Sequence, residues 1–172
     1  MNSTNLRHRC VLAIAPSSRG FGFAVVEVSG ALIDWGVREV GGDKNAQSLV
    51  KLEQLLDLYR PQAMTLEDPL AEHCRRSPRI QKLCRRIIEI GGRRKIRMAI
   101  FSRKQVRRVF FANGEGTKYA IAEILAERFP EELGPRLPRK RRPWMNQDYR
   151  MDIFDAVALG LLPVLRRERK SQ

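Results

Sequence analysis

At 172 residues and 43% hydrophobic content the chain is long and apolar enough to bury the core of one ordinary domain. No apolar run approaches the ~20 residues needed to span a bilayer, and residues 1–9 lack the apolar stretch of a secretory leader, so neither a membrane protein nor an exported one is expected. The net charge of +14 favours a polyanionic partner over a basic or neutral one.

Three strands open the chain. Cys10–Ala15 is a short apolar run, Gly20–Val28 is rich in aromatic and β-branched residues, and Ala31–Val37 follows at once. Ser29-Gly30 reads as the tight turn of a hairpin. Next, Leu49, Leu52, Leu56 and Tyr59 stand at helical spacing within Lys44–Tyr59, with Asp43 placed to cap the helix. Arg60-Pro61 ends it, and Gln62–Glu67 reads as a buried strand.

Ser77-Pro78 offers a cap followed by proline at the first helical position. The helix behind it carries Ile80, Leu83, Cys84, Ile87 and Ile88 on one stripe, with Arg79, Lys82, Arg85 and Arg86 on the other side. Gly91-Gly92 is expected to stop it. Ile96–Phe101 reads as a strand, and Ser102 with Gln105 forms a capping-box signature for a helix to about Phe111. Thr117 caps a further helix to about Phe129. The stretch from about 130 to 148 holds four prolines and the run Arg139-Lys140-Arg141-Arg142, the pattern of an irregular basic loop. A last helix from about Tyr149 places Ile153, Val157, Gly160, Leu161 and Val164 on one side, and residues 166–172 are expected to fray. A meander joined to two more strands through helical crossovers predicts an α/β fold with a mixed five-stranded sheet, three antiparallel strands then two parallel, flanked by helices. The expected organisation is a flexible stretch over 1–9, one domain over 10–165 and a basic tail.

Charge is unevenly spread. Residues 71–118 carry 15 Lys and Arg against 3 acidic side chains, whereas residues 1–70 carry 7 against 8. Clustering of this kind projects a positive field from one face and points to nucleic acid. Arg75, Arg76, Arg79, Arg86, Arg103, Lys104, Arg107, Arg108 and the loop residues Arg139, Lys140, Arg141 and Arg142 are the candidate phosphate contacts, which position a duplex without reading its sequence. Trp144, beside the basic run, has the chemistry either to stack on an unpaired base or to anchor its loop on the core.

Three cysteines, Cys10, Cys74 and Cys84, with no CxxC spacing, argue against a disulfide or zinc framework and for a reducing cytoplasm. His73-Cys74 is half of a metal-ligand pattern without a second pair. The acids are more promising. Glu67 ends the fourth strand, while Asp152 and Asp155 stand three apart at the start of the last helix and so share a face. Carboxylates converging in this way can hold Mg²⁺ or Mn²⁺ for phosphodiester hydrolysis. Acids in a first helical turn also favour the helix dipole, and Glu67 at a strand end can simply face solvent.

Four segments resemble the RuvC-type Holliday junction resolvases of the RNase H-like superfamily, in family order over about residues 11–165. Val11-Leu12-Ala13-Ile14-Ala15-Pro16-Ser17-Ser18-Arg19-Gly20 is similar to the family's opening strand and turn. Tyr59–Glu67 is similar to its fourth strand, Val106-Arg107 through Lys118 to its lysine-bearing segment, and Asp152-Ile153-Phe154-Asp155-Ala156 to its closing helix. The resemblance implies an RNase H-like fold, Mg²⁺ or Mn²⁺ held by Glu67, Asp152 and Asp155, and Lys118 beside the attacked phosphate as the fourth member of a catalytic set. It also implies branched DNA as substrate, in DNA recombination and repair, and a homodimer matched to the junction's two equivalent strands.

One departure matters. Ala15 stands where the resemblance expects the first aspartate, and a methyl group coordinates nothing. Asp68, next to Glu67, should point to the opposite face of its strand. The sequence is consistent with a nuclease disabled by engineering or by evolution, and with a site that uses fewer acids. The functions left open are a metal-dependent structure-selective endonuclease, a catalytically silent DNA- or RNA-binding pseudonuclease, and an assembly module that reuses the fold.

Overall fold

The structure is a computed structural model that describes residues 9–72 and 74–172. The expectation of a flexible N-terminus falls almost wholly on residues 1–8, and half of the His73-Cys74 pattern on His73, so both lie outside the described residues. Five strands, β1 (Cys10–Pro16), β2 (Gly20–Glu27), β3 (Leu32–Glu39), β4 (Ala63–Glu67) and β5 (Arg97–Phe101), form one sheet in the order β3-β2-β1-β4-β5. β1 to β3 pair antiparallel, while β4 runs parallel to both β1 and β5. This is the mixed sheet the element order predicts, because strands reached through a helix return parallel and strands joined by a tight turn cannot. Gly30, at φ 96, takes the left-handed position in the β2–β3 turn.

The helices divide between the two faces. α1 (Lys44–Tyr59) and α2 (Pro78–Arg93) cover one, where Leu12 and Ile14 of β1 meet Leu52, Leu56, Leu83 and Ile87. α3 (Arg103–Phe110), α4 (Lys118–Arg128) and α5 (Met151–Lys170) cover the other. There Ala13 and Ala15 of β1 and Ala24 of β2 face α5, which carries Phe154, Val157, Ala158 and Leu161. Strand alternation therefore sorts β1 into a bulky face and a small-residue face. The small face lets α5 lie close: a Cβ on Gly22 would stand 2.1 Å from the Asp152 carbonyl oxygen, and one on Gly160 2.8 Å from Val26.

Capping follows the sequence. Asp43, Ser77, Ser102 and Thr117 each accept a backbone N–H from the first turn of α1, α2, α3 and α4. Two expectations need correction. The Gly91-Gly92 pair does not stop α2, which runs on to Arg93. Gly91 instead lets β5 approach, since a Cβ there would meet the Met98 sulfur at 2.4 Å, and Lys95 at φ 56 makes the turn. The second concerns the basic end of the chain, which is helical as far as Lys170. Its cations have partners that an isolated sequence does not show: Arg167 donates to the Val28 carbonyl at 2.7 Å and Arg169 to the Arg108 carbonyl at 2.6 Å. The loop before α5 is irregular as expected, apart from a short 3-10 turn at Gly134–Arg136. Among the described residues no helix is long and apolar enough to cross a membrane.

Candidate nucleic-acid interface and acid cluster

Ile14 pairs with Leu66 in the parallel β1–β4 ladder, so the next residues, Ala15 and Glu67, stand side by side at the strand ends. Alternation turns both toward α5, the face opposite Ile14 and Leu66. Ala15 also pairs with Gly22 on its other side, and Gly22 touches the first turn of α5 at Asp152. The sheet end and the helix start thus bring Glu67, Asp152 and Asp155 into one place, with Lys118 arriving from the first position of α4. Glu67 and Asp155 line one small pocket together with Arg103, Arg107 and Lys118. Asp152 and Asp155 border a larger adjoining cleft of about 510 Å³.

Each carboxylate has a defined partner. Glu67 accepts from Arg76 Nη2 at 3.0 Å on one oxygen and from Arg103 Nε at 2.9 Å on the other. Burial alone would raise the Glu67 carboxyl, but the two guanidiniums outweigh it and hold it below the usual carboxylate range. Asp155 accepts from Lys118 Nζ at 2.8 Å. Asp152, only 7% exposed, is pushed the other way. Burial raises its pKa, and the hydrogen bond from Ser17 together with the charges of Lys118 and Arg76 only partly offsets that.

Arg76 is the residue that sequence reasoning places least well. Its composition-rich neighbourhood puts it among the phosphate contacts, yet its head group lies half-buried across the ends of two strands. Nη1 donates to the Pro16 carbonyl at the end of β1 at 3.2 Å while Nη2 holds Glu67. Arg79 likewise turns inward, donating to Asn45 at 3.0 Å and to the Ser17 carbonyl at 3.1 Å, so it fastens the turn after β1 to α1 and α2. Ser17, which lines the larger cleft with Asp152, carries no sequence signal beyond its place in that turn.

The remaining candidates stay on the surface. Arg75, Arg103 and Arg141 line the larger cleft with Arg19 and Lys118. Arg107 lines the smaller pocket, and Lys104 and Arg108 are exposed on the same short helix, α3. Arg139, Lys140 and Arg142 are exposed on the loop before α5, where Arg142 lies 5.5 Å from the centre of the Trp144 ring. Trp144 is 75% exposed and so does not anchor its loop on the core. Arg86 pairs with Glu89 at 3.5 Å on the exposed side of α2 and lines neither pocket.

No protein-family model and no curated protein matches the sequence. Solved structures do. Thermus thermophilus RuvC superimposes with a TM-score of 0.67 at 17% identity, over 94% of this chain and 96% of that one. The same protein from T. thermophilus in complex with a Holliday junction substrate gives a TM-score of 0.67 at 19% identity, over 95% and 98%. The chain has a RuvC-like fold. Within that RuvC-like fold the acids occupy the ends of neighbouring elements, but they do not form a metal cage. Both Glu67 oxygens and one Asp155 oxygen are engaged by cations, and β1 contributes a methyl group. Among the described residues no group of three or more His, Cys, Asp and Glu side chains is arranged to hold a metal ion. Mg²⁺ or Mn²⁺ therefore does not fit the donor set as it stands.

Proposed function

We propose that this protein binds the sugar–phosphate backbone of branched DNA in the cleft beside the acid cluster, and that with Ala15 in place it does so without cutting. The observation that carries this reading is convergence: Arg19, Arg75, Arg76, Arg103, Lys118 and Arg141 come from five separate stretches of chain to line one cleft. Cations gathered in a concave site attract phosphate more strongly than the same charges spread over a convex surface. The fold shared with a RuvC seen on a Holliday junction supports a branched duplex as the ligand. A homodimer would match the two equivalent strands of such a junction.

A second reading, a metal-dependent endonuclease, is favoured by one observation, the meeting of Glu67, Asp152, Asp155 and Lys118 at one sheet end. A labelled four-way DNA junction separates the two. The expected result is a retarded complex and no cleavage products with Mg²⁺ or Mn²⁺ present. Cleavage that Asp155→Asn abolishes would establish the nuclease and overturn the binder. Failure to bind the junction at moderate salt would overturn both.

A further inference from the structure

We infer that Arg76 is a built-in cation that stands in the acid cluster where a divalent ion would otherwise balance charge, so that the cleft takes up phosphate without metal. This rests on the reading of the cleft as a phosphate-binding site and deepens it. The positions involved are specific. Arg76 directly precedes the Ser77 cap of α2, and its guanidinium reaches back to bridge the Pro16 carbonyl and Glu67, the two strand ends that flank the Ala15 methyl. Its side chain is 20% exposed and that of Glu67 17%, so the pair is largely shielded from competing water. Asp155 and Asp152 both feel its charge as well.

Three physical points separate this from a surface ion pair. A guanidinium cannot be deprotonated near neutral pH and cannot be extracted by a chelator, so its charge is permanent. Its planar fork takes one hydrogen-bond acceptor on each terminal nitrogen, which fixes it across the two strands as a hydrated ammonium would not be. The methyl of Ala15, 4% exposed, supplies no charge or oxygen at the end of β1, so the Glu67 carboxylate that ends β4 is held by side-chain cations alone. Mg²⁺ or Mn²⁺ in such a site is anchored through one or two carboxylates and keeps water in its other positions, but both Glu67 oxygens and the Pro16 carbonyl at the strand ends are already engaged by Arg76 and Arg103. Lys118 on Asp155 completes the substitution of side-chain cations for metal.

The test is Mn²⁺ binding followed by electron paramagnetic resonance, on the full chain, Ala15→Asp, and Ala15→Asp with Arg76→Met. The expected result is no stoichiometric Mn²⁺ uptake by the first two and one ion per chain for the double variant. Stoichiometric uptake by the unsubstituted chain would overturn the inference, a result that needs no variant to fold. So would a folded double variant, judged by its thermal transition, that takes up no ion. Junction binding in excess chelator is the companion measurement, expected to equal binding in Mg²⁺. Loss of binding in chelator that Mg²⁺ restores would overturn the role of Arg76. Absence of binding in both conditions would instead overturn the proposed DNA-binding function and leave the Mn²⁺ result standing.

Discussion

Ala15 has two meanings that only its neighbours separate. As a departure from a resolvase-like pattern it is a missing carboxylate. As a buried residue it belongs to the small-side-chain track of Ala13, Ala15 and Ala24 on which α5 lies. Gly22, its partner in β2, is the tightest point of that track, with the backbone of Asp152 directly above it. Gly22→Ala is therefore expected to destabilise the protein by about 1–3 kcal/mol, because the obstacle is backbone and has no rotamer to change. A lowered thermal midpoint checks this. An unchanged midpoint would mean that α5 is free to lift from the sheet. The same close approach explains why Asp152 is buried: the helix start is pressed onto the sheet, and the carboxylate goes with it.

At the scale of elements, the caps were legible and the cations were not. Ser102 and Gln105 announce α3 in the sequence, and both halves of the capping box form, at 3.2 and 2.8 Å. The helix depends on it. α3 has eight residues and no buried side chain, and a helix that short is marginal on propensity alone. Ser102→Ala is expected to cost about 1 kcal/mol locally, raising amide exchange in α3 by roughly five-fold. It should also loosen Arg103 from Glu67, since Arg103 is the first residue of that helix. Exchange measured by mass spectrometry on the α3 peptide tests the cap, and an unaltered rate would show that Val106 and Val109, packed on the core, suffice to hold it. The Arg76–Glu67 pair gave no such local signal. Its members lie nine residues apart across the β4–α2 connection, and nothing in that spacing tells whether the guanidinium turns inward or out.

For the molecule as a whole, charge is the dominant property. Of the basic residues in 71–118, Arg75, Arg76, Arg103 and Lys118 line the cleft, and Arg107 lines the smaller pocket beside it. A backbone-binding protein should show log K falling linearly with log salt, by about 0.9 for each phosphate neutralised. Replacing Lys104, Arg107 and Arg108 together by Gln is expected to flatten that slope by about 0.9 for each phosphate that is no longer neutralised. The thermal midpoint should stay nearly unchanged, because all three side chains are exposed. Fluorescence anisotropy of a labelled junction across a salt series measures the slope. A slope that does not move would place these three α3 side chains outside the DNA contact. Arg86, away from the cleft and paired with Glu89, provides the internal control, and Arg86→Gln should leave the slope unaltered.

The local sequence dictates the order and kind of the elements. Hydrophobic period, cap residues and turn residues are local properties, and each acts within a few positions of chain. It also determined which carboxylates stand at element ends, because Glu67 closes a strand and Asp152 and Asp155 open a helix. Tertiary structure alone decided the rest. It showed that Gly91 serves packing and not termination, that the basic end of α5 is tied to Val28 and Arg108, and that Arg76 and Arg103 share Glu67. The physical reason is common to all three. Each depends on how separate elements pack against one another, and a long flexible cation in particular has many partners within reach, so the one it takes is set by what the sheet brings beside it.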